Sequence, residues 1–221
     1  MYADSNLISA ALAAAAAVAA GIFAYLQRLK RERYLQFYAI GWCLLALEHI
    51  LTGLRTFLNT GDLLWFAEKS FLAAAALIFF SAALEYARRP SLSAPVVVSG
   101  AALIVWTLAY RFRAISVAPD LGSVALFFAA AWLVWDHGRR RDNRFDRQLG
   151  AAYVILGLVP AAELYCAGPL GETARGLSVL LSAPLLVAAA LMLVAAYERQ
   201  SAHAESNVLA LSNLNLAASG L

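Results

Sequence analysis

Seven long apolar stretches, separated by short polar linkers, occupy most of the 221-residue chain. The stretches are continuous and rich in Ala and Leu, without the alternation that marks a membrane β-strand, so they predict helices. About 20 apolar residues in a helix cross roughly 30 Å of hydrocarbon. The predicted spans are Leu7–Leu26, Tyr34–Arg55, Leu63–Leu84, Ala94–Tyr110, Leu121–Trp135, Leu149–Ala167 and Leu177–Tyr197.

The composition agrees with a lipid environment. Hydrophobic residues make up 62% of the chain and charged residues 14%, and the mean hydropathy is +0.70. A soluble domain has too little interior to bury that much apolar surface. We therefore predict an all-α, polytopic membrane protein, with seven transmembrane helices in residues 1–197 and a cytoplasmic connector helix in residues 198–221.

Basic residues are concentrated in alternate linkers, which predicts the orientation of the chain. The positions are Arg28, Lys30, Arg31, Arg33, Arg88, Arg89, Arg139, Arg140, Arg141, Arg144, Arg147 and Arg199. Cytoplasmic loops carry an excess of Lys and Arg, so the N-terminus is predicted outside and the C-terminus in the cytoplasm, in a bacterial inner membrane. We interpret these tracts as topology signals next to anionic lipid headgroups, and predict no nucleic-acid partner.

A shift of 114 residues aligns the first three predicted spans with the last three. The alignment pairs Ser9 with Ser123, Arg33 with Arg147 and, after one inserted residue, Glu48 with Glu163. Both copies would run in the same direction, as three helices, one connecting helix and three more, an arrangement known from transporters. Ala-rich helices also resemble one another by composition, so duplication and shared composition are both open explanations.

Several charged side chains lie inside predicted spans, where each costs about 2.5–3.5 kcal/mol on insertion scales. They are Glu48, His49 and Arg55 in the second span, Glu68 and Lys69 in the third, and Glu163 in the sixth. Gly41, Leu45, Glu48, Thr52 and Arg55 form one stripe at helical spacing. All these charges fall in the half of the membrane predicted to face outward.

Two interpretations of this cluster remain open from the sequence. In the first, the side chains line an outward-facing pocket for a small polar or charged ligand, or respond to protons through His49 and the carboxylates. In the second, they are structural ion pairs that join helices, with Glu48 paired to Arg55 and Lys69 paired to Glu68 or Glu163. Pro160, one turn before Glu163, and Pro184 in the seventh span each lack an N–H group, and we predict a hinge at both.

Metal, cofactor and catalytic signatures are weak. The sequence has three histidines, and His137 and His203 lie on the predicted cytoplasmic side, so we predict no metal site and no haem. Cys43 and Cys166 are predicted at different depths and interpreted as small residues at helix contacts rather than as a disulfide. No P-loop, HExxH motif or nucleophile elbow occurs, and no catalytic residue is predicted.

The last 24 residues, "ERQSAHAESNVLALSNLNLAASGL", have apolar and small residues at an irregular coiled-coil spacing, which favours a homodimer through this helix. A seven-span module that leads into such a helix resembles the N-terminal input part of bacterial sensor histidine kinases and related signalling proteins. The resemblance implies a sensory module that passes a signal through its last helix to a cytoplasmic effector of the kinase or cyclase type, absent from this chain. It supplies no binding residues.

Two further functions remain open. The repeat is compatible with a small 3+1+3 membrane transporter for a polar solute. An intramembrane enzyme using Glu48 and His49 as acid and base is a third and weaker hypothesis, since such a pair is common.

Overall fold

The computed structural model describes residues 2–58, 62–87, 94–112, 118–141, 144–166 and 186–195. Within these ranges the secondary structure is entirely helical. The helices are α1 (Tyr2–Lys30), α2 (Arg33–Leu58), α3 (Asp62–Tyr86), α4 (Ala94–Arg111), α5 (Asp120–Arg141), α6 (Arg144–Cys166) and α7 (Leu186–Ala195).

Local chemistry accounts for two of the helix boundaries. Arg31 ends α1 in the left-handed conformation, with φ of 55°, and its N–H donates to the carbonyl of Gln27 at 2.8 Å. This is an αL cap at a residue other than glycine, and α2 begins only two residues later. Asp120 begins α5 directly after Pro119, where its carboxylate is favoured by the positive end of the helix dipole.

Helices joined by short linkers pack as antiparallel neighbours in this bundle. α1 packs against α2, α2 against α3, and α5 against α6, while α3 also contacts α5 and α4. Since α3 and α5 both begin at the same end of the bundle, they run parallel. The centre is filled by large side chains that are almost fully buried, namely Phe23, Trp42, Phe79, Phe127 and Tyr153.

Four helices are long and apolar enough to cross a membrane, judged within the residues whose side chains the structure describes: α1, α2, α3 and α5. The described parts of α4 and α7 are shorter apolar helices. Large apolar side chains such as Val18, Val98, Ile104 and Trp132 are exposed on the outside of the bundle, as lipid contact requires. The described residues are thus all-helical and include four helices able to span a membrane, as predicted, whereas the number of seven spans, their direction and the repeat stay predictions.

The structure corrects the expectation for Cys43, while several other predicted features lie outside the described residues. Cys43 does not fill a helix contact, because its side chain is exposed and its thiol is free. Pro184 and the connector at residues 198–221 lie outside the described residues. Of Glu163 and Cys166 the structure describes the backbone in α6, but not the side chain.

Candidate functional site

The polar stripe predicted on α2 faces the interior of the bundle. Leu45 and Glu48 are buried, and Thr52 and Arg55 follow on the same face towards the C-terminal end of the helix. Gly41 allows close approach of α3, since a Cβ atom at this position would lie 2.8 Å from the buried ring of Phe79. The stripe is thus where α2 meets α3, which brings its charges against those of α3.

Glu48 and His49 form a buried pair on α2. Nδ1 of His49 lies 2.8 Å from Oε2 of Glu48, and both residues are about 95% buried, with 5% and 4% of their surface exposed. The Thr52 hydroxyl lies 3.1 Å from the Glu48 carbonyl and 3.3 Å from Oε1 of Glu48. Each carboxylate oxygen therefore has a polar neighbour within one turn of the same helix.

A chain of ion pairs, here called the charged cluster, joins α2, α3 and α5. Nε of Arg55 lies 2.9 Å from Oε2 of Glu68, Nζ of Lys69 lies 3.2 Å from Oε1 of Glu68, and the same Nζ lies 2.9 Å from Oδ1 of Asp120. The Glu68 side chain is 4% exposed, Lys69 15% and Arg55 36%. Arg55 marks the edge of the cluster and Glu68 its buried centre.

The Glu48 pair and the charged cluster interact electrostatically. The Glu48 carboxylate acts on both Glu68 and Lys69 across the interface between α2 and α3. Together the two groups hold three carboxylates, on Glu48, Glu68 and Asp120, against two permanent cations. With His49 neutral, one negative charge is in excess, and Glu48 is the carboxylate that neither Arg55 nor Lys69 contacts directly.

A small cavity lies beside Glu48. Its volume open to the centre of a water molecule is about 10 Å³, which is room for roughly one water. Glu48 and His49 are its polar lining residues, and the remaining wall is Leu45, Leu72, Phe127, Leu156, Val159, Pro160 and Leu186. The wall therefore draws on α2, α3, α5, α6 and α7. In this packing the site is too small for an organic ligand.

A second group of polar side chains, here called the tyrosine cluster, lies towards the opposite end of the same helices. The Tyr86 hydroxyl donates to Oδ1 of the buried Asp146 at 2.6 Å. The Tyr34 ring packs edge-on against Tyr86 at a centroid distance of 5.7 Å and against Tyr38 at 6.0 Å. The hydroxyl of Tyr153 on α6 lies 3.0 Å from that of Tyr38.

Three of the predicted pocket residues fall into the charged cluster, and two others form the Glu48 pair. Arg55 contacts Glu68 rather than Glu48, the partner expected from the stripe on α2. Lys69 reaches Asp120 on α5, a residue the sequence interpretation left out. Asp120 could have been found from its position directly after Pro119, which starts a helix at the membrane end where α3 also starts. Pro160 lines the cavity.

The tyrosine cluster was missed entirely. Asp146 lies within a basic tract, between Arg144 and Arg147, where the sequence signal comes from the basic residues. The spacing of Tyr38 and Tyr153 was a usable signal, because the alignment of Glu48 with Glu163 has the same offset and pairs these two tyrosines.

Within the described part of the chain, no three His, Cys, Asp or Glu side chains converge in a way that could hold a metal ion. Comparison of the chain with protein-family models, with curated proteins and with solved structures finds no match.

Proposed function

We propose that this chain is the membrane-embedded input module of a signalling protein, in which the Glu48 cavity is the input site and α7 passes the response to a cytoplasmic effector that is not part of this chain. The proposal includes the predicted orientation, with the N-terminus outside a bacterial inner membrane, seven spans, and a dimer through residues 198–221. No catalytic residue is assigned to the chain itself.

The observation that carries this proposal is the position of Leu186. This residue begins the described part of α7 and lines the same cavity as Glu48 and His49. Leu186, Ala189 and Leu193 are all buried, so one face of α7 packs against the rest of the bundle over its described length. Glu48 and α7 therefore share one cavity, which gives a change in charge or volume at Glu48 a short route to the helix that leads in the sequence to the connector.

The ion pairs of the charged cluster also support an input module. They tie α2, α3 and α5 together at one end, while the tyrosine cluster ties α3 to α6 at the other. Interfaces of this kind switch between discrete arrangements rather than deform continuously, as transmembrane signalling requires.

The distance between two spin labels, one on α1 and one on α7, tests the proposal. In a Cys43→Ala, Cys166→Ala background, one label at Ala24→Cys on α1 is combined with a second at Ala195→Cys on α7. Glu48→Gln is expected to change the 24–195 distance by about 1–2 Å, the size of typical signalling helix shifts. Glu32→Gln makes the same chemical change at an exposed position and is expected to leave this distance unchanged.

A reference pair distinguishes motion of α7 from general loosening. Labels at Ala24→Cys and Val98→Cys, on the exposed faces of α1 and α4, are expected to keep their distance in the Glu48→Gln variant. An unchanged 24–195 distance, or equal changes in both pairs, contradicts the proposal. In the full-length protein, removal of Ser201–Leu221 is expected to abolish output while the response of α7 persists.

The second candidate is a 3+1+3 transporter for a polar solute, and a specific observation favours keeping it. Tyr38 and Tyr153 are equivalent positions of the predicted repeat and contact each other. A residue meets its own equivalent where it lies close to the axis that relates the two copies. Two further equivalent pairs, Leu45 with Pro160 and Leu72 with Leu186, line the cavity. These pairs support a central site on a pseudo-twofold axis, as in carriers with parallel repeats.

Flux measurements separate the two candidates. A carrier gives solute uptake into proteoliposomes that Glu48→Gln or Glu163→Gln abolishes and Glu32→Gln preserves. Absence of flux for a solute that binds to the reconstituted protein contradicts the carrier and leaves the input module. The single-water size of the cavity favours the input module, since it leaves no room for a solute in this packing.

A further inference from the structure

The Glu48 cavity combines a polar floor with an otherwise apolar wall. Apart from Glu48 and His49, its lining side chains are aliphatic or aromatic. A site of this size and polarity suits one water molecule, which needs two to four polar partners. Two of these partners are the Glu48 carboxylate and the His49 imidazole.

Pro160 supplies a third polar group through the backbone of α6. A proline inside a helix has no N–H, so residue 160 cannot donate to the carbonyl of Leu156, four positions earlier. Leu156, Val159 and Pro160 all line the cavity. The Leu156 carbonyl therefore lacks its usual helical donor, in a residue that lines the cavity. An acceptor at this place fits a donor such as a protonated carboxyl group or a water molecule.

The charges of the groups around Glu48 also favour the binding of a proton. Glu48 faces His49 and Thr52 on its own helix and interacts with Glu68 and Lys69 on α3, and Lys69 is already shared with Asp120 on α5. Arg55 is paired with Glu68. With a neutral His49 these groups hold three carboxylates against two cations. An excess negative charge is costly inside hydrocarbon, and its ordinary relief is uptake of a proton.

We infer that the cavity is a proton-binding site, in which Glu48 takes up one proton from the aqueous phase and hydrogen-bonds, directly or through one water, to the Leu156 carbonyl freed by Pro160. Uptake converts the Glu48 carboxylate to a carboxylic acid and removes the excess negative charge of the group. This inference rests on the proposed function and names its stimulus: the input module responds to protons.

Infrared difference spectroscopy of the reconstituted chain tests the inference. On lowering pH, the wild-type protein is expected to gain the C=O stretching band of a protonated carboxyl group. Glu48→Gln is expected to remove this band, and Glu32→Gln to retain it. Glu48→Asp keeps an acid in a shorter side chain, so its band is expected to persist with a shifted pH midpoint. This variant also serves if the glutamine variant does not fold.

Pro160→Ala tests the role of the freed carbonyl. Alanine restores the N–H that reaches the Leu156 carbonyl within α6, so the acid loses an acceptor and its C=O band is expected to shift to higher frequency. A band that Glu48→Gln leaves in place overturns the inference. So does a signal at fixed pH that appears on addition of Na⁺ and depends on Glu48, because the occupant is then a metal cation rather than a proton.

The spin-label distances separate failure of this inference from failure of the proposed function. If Glu48 titrates and α7 does not move with pH, the proton site stands and the input module is contradicted. If α7 moves in response to Glu48→Gln while no carboxyl band depends on Glu48, the input module stands and the proton site is overturned.

Discussion

Tyr38 and Tyr153 place their hydroxyl oxygens 3.0 Å apart in the core, although they are 115 positions apart in the sequence. The Tyr153 hydroxyl also lies 3.0 Å from the carbonyl oxygen of Phe79, so α2, α3 and α6 meet at this one group. A carbonyl can only accept a hydrogen bond, and Tyr153 has one hydroxyl proton. Both hydrogen bonds therefore form when the Tyr153 hydroxyl donates to the Phe79 carbonyl and the Tyr38 hydroxyl donates to the Tyr153 hydroxyl.

Removal of the two hydroxyls is expected to have unequal effects. Tyr38→Phe deletes one hydrogen bond and should lower the free energy of unfolding by about 1 kcal/mol, whereas Tyr153→Phe also leaves the buried Tyr38 hydroxyl without this acceptor and should cost about 2 kcal/mol. Unfolding by denaturing detergent measures both. Tyr25→Phe, at an exposed position, is the control. Equal losses for the two variants would contradict the assigned hydrogen-bond directions.

Lys69 is the shared cation of the charged cluster, and its loss should be the most damaging single change there. Lys69→Met takes the shared cation away from the carboxylates of Glu68 and Asp120 and is expected to cost about 3 kcal/mol of unfolding free energy. Asp120→Asn removes one of them and should cost about 1 kcal/mol. The double variant should then be more stable than the sum of the single losses predicts. Strict additivity would show that Lys69 and Asp120 do not interact.

Tyr86 is expected to stabilise the end of the bundle where α3 meets α6. Its hydroxyl donates at 2.6 Å to Asp146, whose surface is 1% exposed. Hydrogen bonds to charged groups contribute about 1.5–3 kcal/mol, so Tyr86→Phe should lower stability by an amount in that range. Hydrogen exchange at the backbone amides of α6 should increase mainly in its first turns. A uniform increase over all helices would argue against a local role.

Two glycines of the first hairpin should respond in opposite directions to alanine. A Cβ atom at Gly41 would lie 2.8 Å from the fully buried ring of Phe79, so Gly41→Ala is expected to lose about 1–3 kcal/mol through overpacking. A Cβ atom at Gly21 would have no other atom within 4 Å. Gly21→Ala should therefore raise the free energy of unfolding by up to about 1 kcal/mol through helix propensity. Thermal unfolding of both variants in one detergent measures the contrast. A gain for Gly41→Ala would show that α2 and α3 are further apart.

Some positions that the predicted repeat pairs are both buried in the structure. The repeat offsets that pair Glu48 with Glu163 and Ser9 with Ser123 also pair residues that share buried positions here, among them Ala75 with Ala189 and Phe79 with Leu193. Other pairs at the same offset differ in burial, for example Leu77 and the exposed Leu191, so the duplication stays a prediction.

The sequence by itself determined the elements and their solvent. Long Ala- and Leu-rich stretches predict helices, because a backbone surrounded by hydrocarbon must satisfy its own hydrogen bonds. The spacing of Glu48, Thr52 and Arg55 also predicted one polar face on α2, since helical periodicity is a local property.

Only the tertiary structure decided which charges meet. Helix periodicity leaves the rotation and relative height of packed helices open, and these determine that Arg55 reaches Glu68 and that Lys69 reaches Asp120. The same packing places Asp146 against Tyr86 and closes the site around Glu48 to a cavity of about one water. Contacts between distant segments depend on the shapes of all the packed side chains together, and no single segment of the chain contains that information.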